Sequence, residues 1–370
     1  MTGKGSAMKN RALVSVAAAA LLAAPAFAQG NSINVFNWSD YIAPDTLEKF
    51  TAATGITVNY DVFDSNEVLE ARLFAGASGF DVVVPTADYM MRQIAAGIYQ
   101  PLNKDLLPNL VHMDEELAAL VSVFDPGNEH AVIYMWGTTG IGYNVGAVEE
   151  RLGADYEVDS WSLIFDPEKA ALFQDCGIAW LDSNTEMLPA AMNYLGLDPT
   201  STDEADFEAA AELLMSVRST VRYFHSSQYI TDLANGEICI AVGWSGDVLQ
   251  AAERAEEAGR DVNVWYAIPE EGAMQWFDML AIPADAPNPE NAHAFIDFIM
   301  KPEVSAAITN YVWFPNANAA AFELVDEEIR EDPAIYPTDE VAETLFTGVT
   351  YDSRTDRLVT RLWTRVRTGQ

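Results

Sequence analysis

Cysteine, histidine and basic residues are all scarce in this chain. The two cysteines, Cys176 and Cys239, and the four histidines, at 112, 130, 225 and 293, are scattered without metal-ligand spacing, so no metal centre is expected. A calcium loop of the Asp-x-Asp-x-Asp-Gly type is missing as well. The glycines at 137, 140 and 142 are not followed by the Lys-Ser/Thr pair of a phosphate loop, and no other cofactor motif is present. Beyond the first residues, no run stays apolar for the length that a bilayer requires. Twenty Lys and Arg stand against 56 Asp and Glu, a formal charge of −36. A surface of that sign repels nucleic acid and anionic membranes and draws in cations.

The first residues read as an export signal. Lys9 and Arg11 follow Met8, Ala12 to Ala23 is apolar, and Ala26-Phe27-Ala28 suits cleavage before Gln29. The expected location is the periplasm, with residues 1–28 removed. Lys4, Lys9 and Arg11 leave with the leader, so the mature chain carries 17 basic and 56 acidic residues, a formal −39. In a reducing compartment the two cysteines would be buried thiols. In an oxidising one an isolated pair favours a bridge, and each cysteine lies beside an apolar, strand-like run.

About 340 mature residues exceed one ordinary core, so two lobes are expected. Strands and helices alternate. Ile33 to Phe36, Ile56 to Val62 and Phe80 to Val84 read as strands, with a helix opened by Pro44 and another over Val68 to Ala75 between them. A second series includes strands over Ile178–Leu181, Ile238–Val242 and Met274–Ile282, and a long helix over Ala205 to Val217. This is an α/β pattern. The Gly137–Gly142 stretch reads as a strand crossing between lobes at a hinge. A basic helix near the C-terminus, with Arg354, Arg357, Arg361, Arg365 and Arg367, either pairs with acids of the body or forms a solvated face.

Three short words carry the chemistry: Asn-Trp-Ser-Asp-Tyr at 37–41, Gly-Trp-Ser-Gly-Asp at 243–247 and Trp-Phe-Asp at 276–278. Each sets an indole within three residues of a carboxylate, in or at the end of an apolar run. Aromatic faces attract ammonium groups and pack methylenes, and carboxylates take terminal charges. Ligands of open α/β sheets bind beyond the carboxyl ends of strands, where these words fall. The nucleophile signals are weaker. Adjacent side chains in His225-Ser226-Ser227 do not point at each other, and Gly243-Trp244-Ser245-Gly246 departs from Gly-x-Ser-x-Gly. Paired carboxylates with stacking aromatics would also suit a secreted hydrolase of glycosides, which is the alternative to a pure, non-enzymatic binder.

Four runs resemble the periplasmic substrate-binding proteins of ABC polyamine importers, their putrescine-binding branch most of all. They are Asn-Trp-Ser-Asp-Tyr-Ile-Ala-Pro-Asp-Thr at 37–46, Tyr-Asp-Val-Phe-Asp-Ser-Asn-Glu-Val-Leu-Glu at 60–70, Thr-Thr-Gly-Ile-Gly-Tyr-Asn at 138–144 and Arg-Tyr-Phe-His-Ser-Ser-Gln-Tyr-Ile at 222–230. The resemblance runs over almost the whole mature chain. It implies a two-lobe periplasmic binding protein fold of type II, with crossovers near 134–140 and 264–270. Lobe 1 is then residues 29–136 plus 267–315, and lobe 2 is 137–266 plus 316–370. It implies a ligand box of Trp38, Ser39, Asp40, Tyr41, Thr86, Glu186, Trp244, Asp247, Trp276, Asp278 and Phe314, and a disulfide between Cys176 and Cys239. Thr86, Trp276 and Phe314 stand where the putrescine binder has Ser, Phe and Tyr. The same fold could also hold another cationic small molecule. The partners implied are a polyamine and a membrane ABC permease, with the protein acting as a monomer. One ammonium is expected at Asp278 and Asp40 and the other at Asp247, with Glu186 nearby. Affinity would then fall as the carboxylates protonate around pH 4–5. The wider indole of Trp276 points toward spermidine. Asp88, just after Thr86, either meets a third ammonium or only charges a helix N-terminus.

Secretion by a bacterial host should leave Gln29 as the first residue. Intact-mass measurement of the exported protein checks this, and retention of residues 1–28 would contradict the leader assignment.

Overall fold

The computed structural model describes residues 1–3 and 31–370. The leader beyond residue 3, its cleavage point and Gln29 lie outside the described residues.

Among the described residues, ten strands organise the chain: β1 (Ser32–Trp38), β2 (Thr57–Phe63), β3 (Val82–Val83), β4 (Ala131–Asn144), β5 (Ile178–Trp180), β6 (Val221–Phe224), β7 (Ile240–Trp244), β8 (Val264–Ala267), β9 (Met274–Ala281) and β10 (Phe346–Thr347). Their order is β2-β1-β3-β9-β4-β7-β5-β6, with β10 beside β9 and β8 beside β4. β1 runs parallel to β2 and β3, and helices Thr46–Thr54 and Asn66–Phe74 make the crossovers. The first of these helices starts two residues after Pro44, behind Asp45, and stops at Gly55 with φ 74°. Glycine occupies that left-handed position without a Cβ clash.

β4 ties the fold together. All but the last of its 14 residues are buried. Ala131 to Thr138 pair antiparallel with β9, whereas Thr139 to Tyr143 pair with β7 and Ile141 to Asn144 with β8. One strand therefore changes neighbours at Thr138/Thr139. Two hydrophobic cores meet along that line. One takes residues from β1, β3, β9 and the first half of β4, including Ile33, Val82 and Phe277, and Phe295 from helix Pro289–Ile299. The other takes Ile141 and residues from β5, β7 and the helices around them, including Trp161, Trp180, Phe207 and Tyr229. Trp244 packs against both. Gly137 sits where a Cβ would come 2.7 Å from the Trp276 ring, so only glycine lets β4 pass this close.

Two details differ from the sequence reading. The third strand contracts to Val82–Val83, because Pro85 has no N–H to continue a ladder and pairing resumes beyond it as a bridge between Thr86 and Asp278. The crossing strand is much longer than its glycines indicated. Burial on both faces removes the alternation that marks a strand in sequence.

Cys176 and Cys239 form a disulfide with Cα atoms 5.6 Å apart. The cysteines immediately precede β5 and β7, which are parallel neighbours with Ile178 opposite Ile240. Among the C-terminal arginines, Arg354 reaches Glu204 at 3.4 Å, Arg365 reaches Glu208 at 3.2 Å and Arg367 reaches Asp182 at 3.0 Å. These pairs set helix Ser353–Thr368 against helix Glu204–Val217 and the end of β5. No described helix is long and apolar enough to cross a membrane.

The disulfide closes a loop spanning 63 positions, for which chain entropy predicts a stabilisation of about 4 kcal/mol, with measured values typically about 2–4 kcal/mol. The double substitution Cys176→Ser/Cys239→Ser should lower the urea midpoint by the corresponding amount. An unchanged midpoint would show that the bridge adds nothing to stability.

Candidate ligand-binding cleft

A cleft opens where the two cores meet. Its walls come from strand ends and the helix starts that follow them. Trp38 closes β1, and its indole Nε1 donates to the Val84 carbonyl at 2.9 Å, which fixes the ring. Trp244 ends β7, and Asp247 lies in the first turn of helix Ser245–Glu257. Trp276 and Asp278 alternate along β9 and so face the same side. Glu186 stands in the first turn of helix Asn184–Tyr194.

The aromatic side chains form a continuous edge-to-face series. Ring centroids are 5.5 Å apart for Trp38 and Trp244, 6.3 Å for Trp244 and Trp276, 5.3 Å for Trp276 and Phe314, and 5.1 Å for Phe314 and Tyr41. Interplanar angles in the series run from 64° to 84°. Such pairs favour this geometry, which leaves ring faces free to meet a ligand.

Five carboxylates line the same cleft: half-buried Asp64, and Asp88, Glu186, Asp247 and Asp278, these four no more than 8% exposed. Asp278 accepts from the Thr86 hydroxyl at 2.7 Å, and the Tyr41 hydroxyl faces it. Asp247 accepts from the Tyr229 hydroxyl at 2.7 Å. Glu186 accepts from Trp244 Nε1 at 2.9 Å and from the hydroxyl of Thr139. Burial raises the Asp247 carboxyl to about 8 and those of Asp88, Glu186 and Asp278 to about 7. Repulsion among them adds to the rise. Asp247 feels Asp40 and Asp278, and Asp278 feels Asp88 and Glu186. None of the residues lining the cleft is a Lys or Arg. Among the described residues, no His/Cys/Asp/Glu group has the arrangement of a metal site.

Ten of the eleven box residues named from sequence line this cleft: Trp38, Ser39, Tyr41, Thr86, Glu186, Trp244, Asp247, Trp276, Asp278 and Phe314. Asp40 does not. Its backbone is left-handed at φ 54°, and its carboxylate, 39% exposed, takes Arg254 at 2.7 Å. Asp40 belongs beside Asp247, whose carboxyl it perturbs, and it already holds a counter-charge. The sequence reading passed over Thr139, Ser226 and Tyr229, although all three stand inside runs it quoted. His225 has a structural role. Its Nδ1 accepts the backbone N–H groups of Ser227 and Gln228, both at 3.1 Å, at the start of helix Gln228–Asn235.

A cation-sized cleft with unpaired acids behind aromatic walls, built on strands shared by two cores, defines a two-lobe solute-binding protein of the periplasmic type. Residues 45–338 match the family described as bacterial extracellular solute-binding protein, and the chain belongs to that family. It is 53% identical over 362 residues to a putrescine-binding periplasmic protein of Pseudomonas aeruginosa, covering 98% of this chain and 99% of the relative. It is 49% identical over 369 residues to the putrescine-binding periplasmic protein of Escherichia coli, covering 99% and 100%. Among solved structures, a putative spermidine/putrescine ABC transporter protein from Listeria monocytogenes superposes with a TM-score of 0.81 at 31% identity, covering 92% of this chain and all of that one. These relatives are binding proteins of transport systems.

The raised carboxyls make the empty fold pH-sensitive. An acid whose folded pKa exceeds its unfolded value contributes stability that is complete below the unfolded value, near 4, and is lost as pH rises through the folded one. The empty protein should therefore lose thermal stability between about pH 5 and pH 8.5, through the carboxyls raised to about 7 and about 8. Asp278→Asn should flatten that profile and melt higher than the wild type at pH 8.5. Parallel profiles in scanning fluorimetry would mean that Asp278 carries no such strain.

Proposed function

We propose that this protein captures a linear polyamine in the periplasm and delivers it to a membrane ABC importer, acting as a monomer and without catalysing a reaction. The observation that carries this reading is the set of four buried carboxylates, with no cationic side chain lining the same cleft, behind a series of aromatic rings. A carboxylate-bearing amino acid would need a cation in the cleft wall. Relatives named as putrescine-binding and as spermidine/putrescine-binding, the latter 33% identical over 338 residues, support a polyamine as the ligand class.

In this reading the ten cleft residues make the ligand contacts. Trp38, Trp244 and Trp276 pack the methylenes, Asp278 takes one ammonium and Asp247 another. A charge-assisted hydrogen bond contributes about 1.5–3 kcal/mol net, and a desolvated cation–π contact about 2 kcal/mol. A few of each reach the roughly −8 kcal/mol of micromolar binding after ordering costs. We assign residues 29–136 plus 267–315 to one lobe and 137–266 plus 316–370 to the other. The switch of partners along β4 supports a hinge there. Closure brings Trp244, Glu186 and Asp247 against Trp38, Trp276 and Asp278, and the permease reads the closed form.

Calorimetry with putrescine and spermidine at pH 8 should give micromolar or tighter binding of at least one. Asp278→Asn should weaken it by about 2–5 kcal/mol, because an ammonium loses its counter-charge in a desolvated site. Below the raised pKa values an ammonium must displace protons from the acids. Affinity should therefore fall as pH drops from about 8 toward 6, through the carboxyls held at about 7 and about 8, higher than the pH 4–5 window of ordinary carboxylates. No heat with either polyamine would sink the assignment, and a pH-independent affinity would remove ion pairing as its basis.

A further inference from the structure

Asp88 occupies an unusual place for a helix N-terminal acid. It sits in the first turn of helix Ala87–Ala95, where a carboxylate normally faces water and the helix dipole. Here it is 6% exposed and lines the cleft, and its Oδ1 has no hydrogen-bond partner. Burying an acceptor unpaired costs about 1–3 kcal/mol, more for a charged one. Its own backbone N–H and the charge of Arg92 ease the ionised form only in part, and burial still dominates. Arg92, one turn along the same helix, is committed to Glu70 at 2.8 Å and to Asp356 at 3.7 Å. The other charged groups acting on Asp88 are acids: Glu186, Glu67 and Asp278, whose strand bridges Thr86 just before it. Tyr89 and Tyr351 also feel its charge, and their own ionisation is pushed far out of range by burial.

The chain makes room for this side chain. Gly348 lies against it, and a Cβ there would come 3.0 Å from Asp88 Cβ and 2.7 Å from Met274 Cε. The Thr350 hydroxyl holds the Asp88 carbonyl at 2.6 Å, which anchors the helix start. Asp88, Tyr89 and Met274 line the same cleft as Asp278. The acids are coupled through that cavity, and Asp88 feels Glu186 most strongly. Asp247 interacts with Asp278, and Asp278 with both Asp88 and Glu186.

We propose that Asp88 is a specificity-determining residue, forming with Glu186 a third ammonium subsite that selects a linear triamine over a diamine. This rests on the polyamine reading of the cleft. A diamine neutralises Asp247 and Asp278 and leaves the Asp88 end without a counter-ion. A triamine extends past Asp278 and supplies its third ammonium to the oxygen that has no partner in the fold.

The test compares putrescine and spermidine by calorimetry on the mature, disulfide-bonded protein and on Asp88→Asn, at pH 7.5. The ratio of the two dissociation constants should shift at least tenfold toward the diamine in the variant. A ratio that stays within twofold, whether both affinities fall together or neither moves, overturns the proposal. A wild type that binds neither ligand fails the polyamine reading itself, and is told apart by that result alone. Proton release supplies a second measurement that does not need the variant to fold. Titration in buffers of different ionisation enthalpy at pH 7 should show spermidine releasing more protons than putrescine from the wild type, because the Asp88 carboxyl, raised to about 7 and so about half protonated at that pH, gives up its remaining proton against a third ammonium. Equal release by the two ligands overturns the proposal.

Discussion

Four carboxylates share one desolvated cavity, and the rest of the structure accommodates that fact. Each is more than nine-tenths buried, and their mutual repulsion adds to the cost of burial. A protein interior tolerates such a group if it is hydrogen-bonded, neutralised by a proton or paired. Asp247, Asp278 and Glu186 receive hydroxyl or indole donors from Tyr229, Thr86, Thr139 and Trp244. Those donors ease the ionised form without supplying positive charge. A proton or a cation from solution must do that. The competition between the two is the chemistry of the site.

The aromatic series follows from the same constraint. Ammonium groups linked by methylenes need apolar walls between their charged ends, and indole faces serve both parts. The edge-to-face packing of Trp38, Trp244, Trp276, Phe314 and Tyr41 makes these walls rigid before a ligand arrives. β4 brings the walls together. Its first half sits beside Trp276 and Asp278 on β9, and its second half sits beside Trp244 on β7. Gly137, at the join, lets the Trp276 ring lie directly over the backbone. Gly246 does the same for the Phe314 ring, so one buried strand and several missing Cβ atoms set the arrangement at the cleft.

Much of this was legible in the sequence for a physical reason. Trp38, Trp244 and Trp276 stand at or near strand ends, close in sequence to the acids they accompany, and strand ends are where α/β sheets present ligands. The alternation of Trp276 and Asp278 along one strand already put them on one face. The pairing of Asp40 with Arg254, 214 residues away, and its left-handed backbone are announced by no local pattern. The extent of β4 was hidden because burial on both faces erases the period of two. Asp88 could be read either way in sequence. A helix-capping acid and a cleft acid have the same local signature, and only Gly348, 260 positions further on, leaves the space that separates the two cases.

Charge operates at two ranges in this molecule. The formal excess of acids over the whole surface gathers cations of any kind and raises their local concentration, without distinguishing one from another. Discrimination begins where water is excluded, because there an unmatched acid costs far more than it does at the surface. A ligand with too few charges leaves an acid that must keep its proton. One with the wrong spacing places a charge against an indole edge instead of a carboxylate. Selection in such a cleft therefore depends on the number and spacing of ligand charges relative to the buried acids. Total charge decides only how often the ligand is met.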